Sequence, residues 1–66
     1  MLITVNGLPR QVADGISLTG LVHQLSERTA GIAVAVNGEV VPRGSWQSTA
    51  LVEGDRVEVV TAVQGG

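Results

Sequence analysis

The chain has 66 residues, no cysteine, one histidine and a formal net charge of −2 at pH 7. That length makes a single domain, which buries only about 60% of the surface its unfolded chain exposes, and neither a disulfide nor a structural zinc site is available to reinforce it. With 44% apolar and 15% charged residues the chain can form a packed core. Its four basic residues are all arginines and form no cluster, which argues against nucleic acid or an anionic membrane as the main partner.

The opening residues, Met1-Leu2-Ile3-Thr4-Val5, lack the charged region and cleavage site of a signal peptide. The longest purely apolar run, residues 32–36, is far too short to cross a bilayer. Both features lead to the expectation of a cytoplasmic protein. Residues 3–5 and 8–13 are β-rich and flank Asn6-Gly7, a dipeptide that tolerates the positive φ angles of a type I′ hairpin turn. A helix follows. Leu18, Leu21, Val22 and Leu25 fall at i, i+3, i+4 and i+7 and make one apolar stripe. Ser17 suits the N-cap, and Ile16 with Leu21 suits a hydrophobic staple. Arg28 fits the last turn and Gly31 a left-handed C-terminal position. Gly20 costs about 1 kcal/mol inside the helix relative to alanine, so a close approach to the sheet is expected there.

A second hairpin is predicted from residues 33–36 and 39–41 around Asn37-Gly38. Residues 42–55 read as irregular, with Trp46 and a Glu53-Gly54-Asp55 turn, and residues 56–63 as a final strand that runs into Gln64-Gly65-Gly66. The prolines give the strand order. Proline cannot donate to a ladder, so Pro9 in the second strand and Pro42 at the end of the fourth place both strands at edges. The first and third strands each then need another neighbour, and the long fifth strand fits between them, in the order 2-1-5-3-4. Ile3, Val5, Val34, Val36, Val57 and Val59 should face the helix. Leu2, Thr4, Ala33, Ala35, Glu58, Val60 and Ala62 should point the other way. An apolar face with no second helix over it is a candidate docking surface, although scattered exposed valines and alanines are common on any protein.

Taken together, these elements resemble the ubiquitin-like β-grasp fold, an α+β class with a mixed five-stranded sheet on one helix. More narrowly the chain resembles the ThiS family across its whole length. The features that carry the likeness are the first strand ending at Asn6, the run Ala35-Val36-Asn37-Gly38-Glu39-Val40-Val41-Pro42-Arg43 followed by Trp46, the Gly54-Asp55 turn, and the final Gly65-Gly66. Position 5 is valine where many relatives carry an aromatic residue, which implies a smaller core side chain. The resemblance implies a β-grasp domain over 1–63 and a flexible tail over 64–66. It also implies a sulfur carrier for the thiazole of thiamin, not an enzyme. A ThiF-like adenylyltransferase would use ATP to adenylate the Gly66 carboxylate. Sulfur from a cysteine desulfurase persulfide or similar donor would displace AMP, reduction by a thiol would leave a thiocarboxylate, and a ThiG-like thiazole synthase would take the sulfur. The carrier itself would bind no cofactor.

The residues fit that chemistry. A carboxylate is a poor electrophile until adenylation supplies a leaving group, and this chain has no phosphate-binding loop or cysteine nucleophile with which to do so itself. Glycine at positions 65 and 66, behind Gln64, removes side-chain bulk and frees the backbone, so a narrow channel in a partner can close around the tail. If Gly66 is the native end, no trimming is needed. A chain without lysine offers no side-chain amine to acylate, though arginine-biased composition accounts for that equally. Val60, Ala62, Ala33, Ala35 and Glu58 are the candidate docking residues.

Other residues carry less. His23 lies opposite the apolar stripe and reads as a surface histidine. Trp46 reads as core packing, and Arg43 and Arg56 as solvated charges able to steer an encounter. Glu39, Glu53, Asp55 and Glu58 have no metal-ligand spacing. A MoaD-like carrier for molybdopterin, an inert β-grasp interaction module and a ubiquitin-like modifier of lysines remain the competing readings.

Overall fold

The computed structural model describes residues 1–26 and 31–61. Arg28 and the segment 62–66, with Ala62, Gln64, Gly65 and Gly66, lie outside the described residues, as does the expected extension of the last strand to Val63. Within them the chain folds as β1 (Leu2–Val5), β2 (Leu8–Gln11), α1 (Leu18–Leu25), β3 (Ile32–Val36), β4 (Glu39–Val41), a 3₁₀ turn at Arg43–Ser45 and β5 (Arg56–Thr61). The sheet order is β2-β1-β5-β3-β4, as the two prolines require. Pro9 sits on edge strand β2 opposite Thr4, and Pro42 immediately follows edge strand β4.

Both hairpins turn on two residues with positive φ, Asn6 at 51° with Gly7 at 82°, and Asn37 at 51° with Gly38 at 87°. Asparagine and glycine tolerate this region better than other residues. β1 and β5 run parallel, whereas β1 with β2, β3 with β4 and β3 with β5 are antiparallel.

The helix covers one face of the sheet. Ile3, Val5, Val34 and Val57 are buried beneath Leu18, Leu21 and Val22, with Val36 and Val59 packed at the margin. The Ser17 hydroxyl caps the helix by accepting from the Gly20 N–H at 3.1 Å. An antiparallel bridge between Ser17 and Ala50 anchors that end, with Leu18 N–H bonded to the Thr49 carbonyl and Leu51 N–H to the Ile16 carbonyl, each at 2.9 Å. Leu51 thereby enters the core. Trp46 closes the core beside β4, 3% exposed, its indole N–H donating to the Val41 carbonyl at 2.9 Å.

Three local expectations need correction. β2 runs only over Leu8–Gln11; Val12 still exchanges backbone bonds with Met1, at 2.9 and 2.7 Å, but the Ala13 carbonyl accepts from the Ile16 N–H at 3.2 Å and so belongs to the turn into the helix. The helix ends at Leu25 and its C-cap is Ser26, whose backbone is extended and whose N–H bonds the Val22 carbonyl. Gly31 does adopt a left-handed φ of 75°, but there it turns the chain into β3. Gly20 makes room for Ile16 and not for the sheet: a Cβ at that position would stand 3.0 Å from Ile16 Cγ1.

Candidate functional site

The strand that leads to the tail is held on both sides. β5 lies between β1 and β3. On one side it pairs with β3 from Val36↔Val57 to Ile32↔Thr61. On the other it pairs with β1 only at Thr4↔Arg56 and Val5↔Val57. Asn6 then extends the hold. Its N–H donates to the Val57 carbonyl at 2.9 Å. Its carboxamide accepts from the Val59 N–H at 2.8 Å and donates to the Val59 carbonyl at 3.1 Å.

Asn37 fixes the other end of β5. Its N–H bonds the Arg56 carbonyl at 2.7 Å, its Oδ1 accepts from the Arg56 N–H at 2.9 Å, and its Nδ2 donates to Asp55 Oδ1 at 2.9 Å. Asp55 also accepts from the Val52 N–H, and Glu53 from the Leu2 N–H. These two carboxylates therefore serve the turn into β5. Among the described residues no three histidine, aspartate or glutamate side chains converge on a possible metal position.

The sheet face away from the helix is open. Strand alternation places Leu2, Thr4, Ala33, Ala35, Glu58 and Val60 on it. Val60 is 60% exposed and pairs across to Ala33. Glu58 and Ala33 are exposed and Ala35 half-buried. Four of the five candidate docking residues thus share one surface, and the fifth, Ala62, lies outside the described residues. The sequence reading missed Val40, which is 75% exposed and stands opposite Ala35. Counting back from the two-residue Asn37-Gly38 turn gives this register, so the signal was present. Ala33, Ala35, Val40, Glu58 and Val60 line a shallow depression of about 190 Å³. His23, on the helix face turned from the core, is exposed.

This geometry defines a class: a small β-grasp domain that carries an open, largely apolar sheet face and, along the same central strand, the chain leading to its C-terminus. Residues 3–66 match the ThiS family, and the chain belongs to that family. The sulfur carrier protein ThiS of Escherichia coli (strain K12) is 35% identical over 66 residues, which cover both chains completely. A thiazole synthase of Magnetococcus marinus is 38% identical over 66 residues, a stretch that makes up 20% of that longer protein. The crystal structure of the thiamine biosynthesis protein ThiS from Geobacter metallireducens superposes with a TM-score of 0.85 at 36% identity, with full coverage of both chains.

Proposed function

We propose that this protein is a sulfur carrier of thiamin biosynthesis, loaded as a thiocarboxylate at Gly66 and emptied by a thiazole synthase. The observation that carries the reading is the pairing of family membership with a β5 held on both flanks and leading toward Gly65-Gly66. The carrier is a macromolecular substrate and not a catalyst. An adenylyltransferase of the ThiF type transfers AMP from ATP to the terminal carboxylate and releases pyrophosphate. The persulfide sulfur of a cysteine desulfurase or similar donor then displaces AMP to form an acyl disulfide, and a thiol cleaves its S–S bond, leaving the thiocarboxylate on Gly66 and a disulfide between the donor and that thiol.

The domain's contribution is placement. Residues 62–66 span at most about 18 Å when fully extended, so the adenylating centre must lie within that reach of Thr61 in the docked complex. Docking through Ala33, Ala35, Val40, Glu58 and Val60 fixes the body, and β5 links that face directly to the tail. Holding a carboxylate near its reaction partner replaces a bimolecular encounter with a positioned one, which can remove several kcal/mol of barrier.

A thiazole synthase as recipient is favoured by the longer relatives. The thiazole synthases of Magnetococcus marinus and Paramagnetospirillum magneticum each include a segment similar to this entire chain, at 38% and 30% identity. Joining a carrier to its acceptor enzyme raises their effective concentration, a benefit only where the two work together. The test is transfer of labelled sulfur from the loaded carrier. Incorporation into thiazole by the synthase is expected. Transfer only to molybdopterin by a molybdopterin synthase subunit would reassign the pathway.

A further inference from the structure

Asn6 does more than turn a hairpin. Its φ of 51° is what an Asn-Gly turn asks of it, but its carboxamide reaches across to β5. Main-chain pairing between β1 and β5 ends at Val5↔Val57. The next β5 residue with backbone groups on that side is Val59, and Asn6 Oδ1 and Nδ2 supply it with an acceptor at 2.8 Å and a donor at 3.1 Å. The side chain thus takes the place of one more β1 residue. Beyond Val59, the described pairing of β5 is to β3 alone, through Ala33↔Val60 and Ile32↔Thr61.

We infer that Asn6 is a positioning residue for the carrier reaction: its carboxamide fixes the line along which β5 leaves the sheet, and so where the docked domain delivers the Gly66 carboxylate. The inference rests on the reading that Gly66 is adenylated. Asn37 provides a matched comparison. It has the same φ of 51° and the same following glycine, and it also clamps β5, but at Arg56, the strand's first residue. Replacing either asparagine with glycine keeps the turn, since glycine adopts positive φ freely, and removes the same kind of bond. Each loses an acceptor for a β5 N–H, Val59 or Arg56; the second bond lost is to the Val59 carbonyl for Asn6 and to Asp55 Oδ1 for Asn37, so the Asn37 change acts at the start of β5, away from the tail.

The experiment is single-turnover formation of the acyl adenylate with ATP and excess adenylating enzyme, followed as a function of enzyme concentration. Asn6→Gly should lower the maximal rate roughly three- to tenfold, equivalent to the net loss of about one hydrogen bond at the point of delivery. The half-saturating enzyme concentration should stay unchanged because the docking face is untouched. Asn37→Gly should keep the wild-type maximal rate. Amide hydrogen exchange reports whether each clamp has gone, through faster exchange at Val59 in the first variant and at Arg56 in the second. Asn6→Asp keeps the turn and the acceptor for the Val59 N–H but sets an oxygen against the Val59 carbonyl, and should fall with Asn6→Gly. A maximal rate for Asn6→Gly within about 1.5-fold of wild type, with Val59 exchange accelerated, overturns the inference, as does an equal fall in the Asn37→Gly protein. A wild-type protein that forms no adenylate defeats the carrier reading itself, and the role of Asn6 with it.

Discussion

Val60 offers a direct probe of the docking face because its role in the fold is small. It is 60% exposed in the free domain, on the sheet face away from the helix. Val60→Ala removes two carbons, worth about 0.8 kcal/mol each when fully buried. With 60% of the residue open to a partner, docking should lose about 1 kcal/mol, or roughly fivefold in Kd. Val60→Glu places a charge under the partner and should cost more, on the order of tenfold or above. The unfolding free energy should change by no more than about 1 kcal/mol, the span of strand propensity. The comparison is Val52→Ala, because Val52 is 61% exposed but lies in the loop ahead of the Glu53-Gly54-Asp55 turn. Calorimetric titration of each variant with the adenylating enzyme gives Kd. Urea unfolding followed by Trp46 fluorescence gives stability. Val60→Glu binding within about twofold of wild type, or an equal loss in Val52→Ala, would refute the assignment of this face.

Trp46→Ala should remove about half or more of the domain's stability: truncating a buried tryptophan costs about 3–5 kcal/mol, against about 3–10 kcal/mol expected in total for a chain of this size. Trp46→Phe, which loses the bond to the Val41 carbonyl, should fold with about 1–3 kcal/mol less stability; cooperative unfolding of the alanine variant at the wild-type urea midpoint, by far-UV circular dichroism, would contradict this. Gly20→Ala gains about 1 kcal/mol of helix propensity but crowds Ile16 Cγ1 at 3.0 Å. Because Ile16 is only half-buried and can rotate, a net gain of about 0.5 kcal/mol is expected, and a lowered melting temperature would show that Ile16 cannot yield.

Much of the architecture was legible because short-range chemistry settles it. The Asn-Gly pairs set both hairpin registers, the prolines assigned the edges, and the leucine stripe placed the helix against the sheet. What was missed depends on contacts distant in sequence. The helix stops at Ser26 although nothing in 26–31 marks that boundary, and Gly31 offered a plausible but later stop. Asn6 and Asn37 read as turn residues alone, since their bonds to β5 span 53 and 19 positions and exist only once β5 lies between β1 and β3. Val40 was overlooked for another reason: an edge strand of three residues shows too little alternation by itself to declare its faces, and its face follows instead from the pairing with Ala35 that the two-residue Asn37-Gly38 turn implies.

The most direct measurement is the intact mass of the protein after incubation with the adenylating enzyme, ATP and a sulfur donor, with fragmentation to locate any change. A mass gain of one oxygen-to-sulfur exchange, confined to Gly66 and lost when Gly66 is deleted, is predicted. An unchanged mass, under conditions where the same enzyme loads a known carrier, would contradict the account, and lysine-linked conjugates in its place would mark a protein modifier.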